Sequence, residues 1–198
     1  SERMTKPATP ARQPKPSFNI CPSGADTNAP SEPAAETMPI TVLRTAAGTA
    51  RADTDIAALL RRIAERHRVP AALVRVDAAA ARWPIDEPRL ERVLANLLDN
   101  ANKHGGGVSA LVAVVVGDRL RIDVDDTGPG VPLDERQLIF GRFGRGRAAS
   151  SRGGSDGVGL GLAIVAEHVA AHQGSISVLD QSAGGGRFRI ELPRGEQA

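Results

Sequence analysis

The chain of 198 residues contains one cysteine, no tyrosine, one tryptophan and four phenylalanines. A lone Cys21 can neither close an internal disulfide nor build a zinc site by itself, which excludes disulfide-stapled and zinc-knotted scaffolds and fits a reducing compartment. Few aromatics leave few stacking platforms for single-stranded bases. Charge of one sign is also lacking: 25 basic and 23 acidic side chains leave a formal charge of +2. Nucleic acid is therefore not an expected partner. Lysine occurs only at Lys6, Lys15 and Lys103. The longest apolar run, Ala110 to Val116, falls far short of the ~20 residues needed to span a bilayer, and no secretory signal is recognisable. A cytoplasmic chain without membrane contact, monomeric in isolation, is expected.

What is present has the balance of a globular protein, with 41% apolar and 24% charged residues. Residues 1–39 hold eight of the fourteen prolines and no apolar rhythm, so they read as a disordered tail or linker. Residues 40–194 read as one domain, and 195–198 as a short tail. Within the domain, Ile56, Leu59, Leu60, Ile63 and Ala64 recur at helical spacing up to Val69-Pro70. Leu73 to Val76 is a short strand candidate. A second helix is expected from Asp86, an N-cap, with Pro88 in its first turn. Its apolar stripe is Leu90, Val93, Leu94, Leu97, Leu98 and Ala101, and it stops at Gly105-Gly106-Gly107.

Val108, Ala110, Val112, Val114 and Val116 alternate, as do Leu120, Ile122 and Val124, with Gly117-Asp118 as a hairpin turn between them. Pro132 to Gly157 has little periodicity, and a loop of that length inside a domain is usually functional or mobile. Leu160 to Ala171 predicts a third helix. Ile176–Val178 and Phe188–Leu192 predict closing strands around Gly184-Gly185-Gly186. The fold class is a mixed α/β one built on hairpins rather than regular βαβ units.

On the second helix Asn96, Asn100 and Lys103 fall within roughly 60° of one another at 3.6 residues per turn. Asparagine is a mediocre helix former, so two on one stripe suggest a purpose. An Asn carbonyl can ligate Mg²⁺ and Lys103 can face phosphate. Asp126-Thr127-Gly128-Pro129-Gly130 ends a strand with a carboxylate able to accept from an exocyclic amine, beside glycines that let a flat ring approach. Adjacent Asp125 and Asp126 point to opposite faces, which argues against a paired acid/base mechanism. Gly157-Val158-Gly159-Leu160-Gly161-Leu162 opens the third helix, where free N–H groups and the helix dipole favour phosphate. The spacing is neither the dinucleotide fingerprint nor a Walker loop. His168 and His172 stand at i and i+4 but lack the intervening Glu of a zinc-protease helix and any third ligand, so a packing or surface role is expected.

Taken in order, Asn96 to His104, Asp126 to Gly130, Ile139-Phe140-Gly141-Arg142-Phe143-Gly144-Arg145 and Gly157 to Leu162 resemble the N, G1, F and G2 boxes of sensor histidine kinases. The resemblance covers about residues 54 to 193. It implies the ATP-binding catalytic domain of a two-component kinase. The implied fold is the Bergerat α/β sandwich: a mixed, mostly antiparallel sheet of about five strands with three main helices on one face and a mobile ATP lid. By this resemblance Asp126 reads adenine and Asn100 ligates magnesium, while Asn96, Lys103 and His104 contact phosphates or the lid. Gly128 and Gly130 permit close approach of the nucleotide. Gly157, Val158, Gly159, Leu160 and Gly161 surround the phosphates, with Val158 departing from the frequent Thr or Ser. Arg145 points to the γ-phosphate, and Phe140 and Phe143 anchor the lid root. Arg142, Arg147 and Arg152 make the lid basic.

In the gyrase, mismatch-repair and heat-shock relatives of this fold, a glutamate four residues before the magnesium asparagine activates water. That place is Asn96 here, and an amide is no general base near neutral pH, so the residue favours phosphoryl transfer over hydrolysis. It also disfavours anti-sigma serine kinases, which remain the alternative as a regulatory ATP-binding module. His67, His104, His168 and His172 are followed by Arg, Gly, Val and Gln rather than the Glu or Asp that follows the family's acceptor histidine. The implied partners are ATP, a histidine-bearing dimerisation domain of a membrane-anchored parent kinase, and a downstream response regulator. Autophosphorylation by this chain alone is not expected.

Overall fold

A computed structural model describes residues 51–141, 160–181 and 184–195. The expected tail, residues 40–50 and the last three residues lie outside these. The elements are β1 (Ala52–Asp55), α1 (Ile56–Arg66), β2 (Val74–Val76), β3 (Arg82–Ile85), α2 (Glu87–His104), β4 (Val108–Val116), β5 (Arg119–Asp126), α3 (Gly161–Ala171), β6 (Ser175–Asp180) and β7 (Gly186–Pro193). Single 3₁₀ turns occur at Ala71–Leu73, Ala78–Ala80 and Leu138–Phe140.

Five strands form one sheet in the order β2-β4-β5-β7-β6, with β2 parallel to β4 and every other pairing antiparallel. Leu111, Ala113, Leu120, Ile122, Val124, Ile176, Val178, Phe188, Ile190 and Leu192 project from one face of it. They share a single core with the buried stripes of all three helices. The helices therefore cover that face, as the resemblance implies. On α2 the buried residues are the six of the expected stripe. Asp86 caps its start by accepting from Arg89 N–H at 3.1 Å, and Gly105 ends it. Asp55 caps α1 in the same way, accepting from Ala58 N–H at 2.8 Å.

The alternating set expected on β4, Val108, Ala110, Val112, Val114 and Val116, is not the one the core takes up beyond Val108, because the strand is apolar on both faces along most of its length. A bulge between Val108 and Ala110 shifts the phase, and the core receives Val108, then Leu111, Ala113 and Val115, leaving Val112 and Val114 half-buried. Two elements have no counterpart in the sequence reading. β1 and β3 pair antiparallel as a separate two-stranded ribbon that precedes α1 and α2. β3 is four residues and contains Pro84, which such short ribbons tolerate because they need few ladder bonds. It buries Trp83, whose ring carries the guanidinium of Arg194 at 5.0 Å.

The other face of the sheet carries a charge ladder. Arg187 donates to both oxygens of Asp125 at 2.8 and 2.9 Å, and Arg189 to both oxygens of Asp123 at 2.9 Å. Arg121 donates to Glu191 at 2.9 Å. Each pair joins β5 to β7, so the central strand and its neighbour are registered by complementary charge as well as by backbone bonds.

Candidate functional site

Asp126 ends β5 and is 5% exposed. Its Oδ1 accepts from the backbone N–H of Gly128 at 2.9 Å and of Gly186 at 3.0 Å. Two main-chain donors on one oxygen fix the carboxylate as an acceptor with a set orientation. The surroundings are glycine by necessity. A Cβ on Gly105 would lie 2.6 Å from the Asp126 side chain, one on Gly128 would lie 2.7 Å from Gly105 Cα, and one on Gly185 would lie 2.0 Å from the Asp126 carbonyl oxygen. Three segments meet here: the end of α2, the end of β5 with its following turn, and the β6–β7 turn. Thr127 adds a bond from its N–H to Gly107 O at 3.2 Å and one from its hydroxyl to Gly105 O at 3.3 Å.

α2 supplies the polar stripe. Asn96 donates from Nδ2 to Arg92 O at 2.8 Å, which turns Oδ1 toward α3, 3.0 Å from where a Cβ on Gly161 would stand. The expected N and G2 stretches are thus in contact. Asn100 is half-buried, and Lys103 and His104 are exposed on the last turn. Leu160 occupies the N-cap of α3 and offers no capping side chain, so the first-turn N–H groups lack that partner. Gly130 adopts φ +73°, the left-handed region that favours glycine, and faces the β6–β7 turn at Gly185 O.

Phe140 is buried and meets Phe188 edge to face at 6.5 Å, so it anchors the 132–141 segment in the core. Arg136, 3% exposed, ties the same segment down by donating to Val131 O and to Asp180. Arg145, Phe143, Gly157, Val158 and Gly159, together with Arg142, Arg147 and Arg152, lie outside the described residues.

No group of three or more His, Cys, Asp or Glu among the described residues could hold a metal ion. A divalent cation at this site would lean on a neutral oxygen such as that of Asn100 and on ligand phosphates, which suits Mg²⁺ because it keeps several waters and few protein ligands. His168 and His172 are not a metal pair. His172 is buried, its Nδ1 lies 2.8 Å from His168 O, and its Nε2 accepts the Asp86 N–H at 3.2 Å. The ring is therefore the neutral tautomer that donates from Nδ1. Burial pushes its pKa below the ordinary histidine value, and burial followed by the charge of Arg89 does the same to His168.

Four contributors escaped the sequence reading. Gly105 and Gly185 were legible only as a helix stop and a turn, and Gln181 carried no signal. The Asp125–Arg187 pair did carry one. Arg121, Asp123 and Asp125 alternate along one strand and Arg187, Arg189 and Glu191 along another, which is the pattern of a cross-strand charge ladder.

Comparison with known proteins agrees with this geometry. Residues 85–196 match the model of the histidine kinase-, DNA gyrase B- and HSP90-like ATPases. The sensor protein KdpD of Escherichia coli is 44% identical over 112 residues, 56% of this chain and 12% of its own length. The ATP-binding domain of PrrB from Mycobacterium tuberculosis is similar over 74% of this chain and 99% of its own, at 31% identity and a TM-score of 0.56. Full-length ShkA in complex with AMPPNP matches 78% of this chain and 33% of its own, at 34% identity and a TM-score of 0.62. The chain thus spans a small part of the full-length kinases and the whole of one isolated ATP-binding domain.

Proposed function

Because the chain belongs to the histidine kinase-, DNA gyrase B- and HSP90-like ATPase family, we propose that it binds Mg·ATP and passes the γ-phosphoryl group to a histidine on a dimerisation domain. The observation that carries this reading is the glycine-walled meeting of α2, β5 and the β6–β7 turn around the fixed carboxylate of Asp126. With Oδ1 occupied by two backbone donors, Oδ2 is the oxygen left to accept from the adenine amine. Gly105 and Gly128 keep the approach flat.

Phosphoryl transfer needs little covalent chemistry from a protein and depends on position and charge. Asn100 would hold Mg²⁺, which when bound neutralises phosphate charge. Lys103 supplies a point charge at the same end of α2, and the start of α3, whose N-cap Leu160 has no capping side chain, offers its first-turn N–H groups to the phosphates. Asn96, resting against Gly161, sets the spacing between these two helices. It is an amide where a water-activating carboxylate would favour hydrolysis, so the acceptor is a side chain of another domain. The sensor-kinase relatives support this over the anti-sigma serine-kinase alternative.

The test adds radiolabelled ATP and Mg²⁺ to the chain with a separately made dimerisation domain. Acid-labile, base-stable label on that domain's histidine is expected. Binding of a non-hydrolysable ATP analogue without transfer to any tested hairpin would replace this reading with a regulatory ATP-binding module.

A further inference from the structure

The ladder between β5 and β7 has its last paired position at Asp125 and Arg187. One residue further on, the carbonyl of Asp126 faces the β6–β7 turn, and the backbone there needs a donor from elsewhere. Gln181 provides it. Its Nε2 donates to Asp126 O at 3.2 Å and to Gly186 O at 2.8 Å. Both hydrogens of the amide are used, and the opposite amide orientation would set an oxygen against two carbonyls, so the network itself fixes the assignment. Gly186 also donates its N–H to the Asp126 carboxylate. The one side chain therefore bridges the two residues whose relative position decides where that carboxylate points. The turn that carries Gln181 is itself closed by Gly184 N–H to Gln181 O at 3.1 Å.

We propose that Gln181 is a positioning residue for purine recognition: by bridging the carbonyls of Asp126 and Gly186 it holds the Asp126 carboxylate at the angle that selects a base bearing an exocyclic amine. This rests on the ATP-binding reading above. Gln181 touches no nucleotide in this scheme and acts through Asp126 alone. Its loss should therefore reduce discrimination between bases rather than affinity for the triphosphate in general.

The experiment compares ATP with purine riboside triphosphate, which lacks the amine, by calorimetry on the full 198-residue chain. The unsubstituted chain should prefer ATP by about 10- to 100-fold, the range expected for a hydrogen bond to a charged group. Gln181→Met keeps the side-chain length without donors, and Gln181→Glu keeps the shape but faces both carbonyls with oxygen. Both should lower that preference to about 3-fold or less while binding of the amine-free analogue changes less than about 2-fold. Equal weakening of both nucleotides would mean general damage to the cleft and would overturn the proposal, as would a retained preference. No preference in the unsubstituted chain would instead remove the adenine-reading role of Asp126, and the role of Gln181 with it. A measurement without any variant guards against misfolding: the Gln181 side-chain amide protons should exchange slowly with solvent in the native chain. Exchange as fast as in a free glutamine would also overturn the bridge.

Discussion

Asp126 and Gly186, far apart in sequence, are joined by a 3.0 Å bond from the glycine N–H to the carboxylate, and the same oxygen takes the N–H of Gly128. One side chain thus closes the edge of the cleft and, in the proposed function, reads the base. Asp126→Asn separates these two tasks. An asparagine can keep Oδ1 as acceptor for both glycines but presents N–H groups where the adenine amine should donate. ATP affinity should fall by about 10- to 100-fold, or ~1.5–3 kcal/mol, with little change in melting temperature. Unchanged affinity in calorimetry would remove the base-reading assignment.

Asn100 is the only proposed magnesium ligand, and its position is half-buried on the stripe that starts at Asn96. Asn100→Ala should weaken the gain in ATP affinity that Mg²⁺ provides while leaving adenosine binding within about 2-fold, because adenosine has no phosphates for the ion to bridge. Titrations with and without Mg²⁺ measure both. Equal loss for the two ligands would point to a disturbed helix instead of a lost ligand.

Much of this site was legible because its parts are local. Asp86 announces α2, the stripe from Leu90 to Ala101 sets its face, and that face in turn fixes where Asn96, Asn100 and Lys103 point. The 3.6-residue period does all of this within one helix. β5 was legible in the same way from Leu120, Ile122 and Val124. The rest depends on contacts between segments distant in sequence. Nothing local to Arg82-Trp83-Pro84-Ile85 marks a strand, because its partner Ala52–Asp55 lies about thirty residues upstream. The phase of β4 was hidden because Leu111 to Val116 are apolar on both faces and the bulge that selects one precedes them. Gly185 reads as a turn residue until Asp126 O is placed 2.0 Å from where its Cβ would be.

That contact gives a paired test at neighbouring glycines. Gly184 and Gly185 both have positive φ, +86° and +103°, so alanine strains either position. Only at Gly185 does the new methyl also meet the Asp126 carbonyl, since among the described residues nothing lies within 4 Å of the corresponding atom on Gly184. Gly184→Ala should cost about 1–2 kcal/mol from backbone strain, and Gly185→Ala clearly more, with loss of ATP binding besides. Urea unfolding of the two variants checks the order; equal destabilisation would mean that the turn relaxes away from β5.

The buried end of the charge ladder should respond asymmetrically to mutation. Asp125 is 5% exposed and held by both guanidinium bonds of Arg187, which also lies 3.7 Å from Asp123. Arg187→Leu leaves a buried carboxylate without this partner and should destabilise the domain by about 3–5 kcal/mol. Removing both members, in Asp125→Val with Arg187→Leu, should recover a substantial part of that loss, because the cost lies in the stranded charge. Denaturant titrations of the single and double variants test this. An additive or worse double variant would show that the pair contributes mainly through packing.

His172 links the end of α3 to the start of α2 through its Nε2 and the Asp86 N–H, and the neutral ring is the only form that can accept that bond. Its pKa is lowered from 6.5, first by burial, with the Asp86 carboxylate opposing and Arg51 reinforcing the shift. A histidine whose folded pKa is depressed binds its proton more readily in the unfolded chain. Its contribution is therefore neutral above about pH 6.5 and becomes increasingly destabilising as pH falls below 6.5 toward the folded pKa. His168 shifts in the same direction, so the two act together. Stability measured by urea unfolding should drop between pH 7.5 and 5.5, and His172→Gln, which does not titrate, should lose part of that drop while retaining the His168 contribution. An identical pH dependence in the variant would mean that acid destabilisation enters elsewhere, and that the α2–α3 link tolerates a protonated ring.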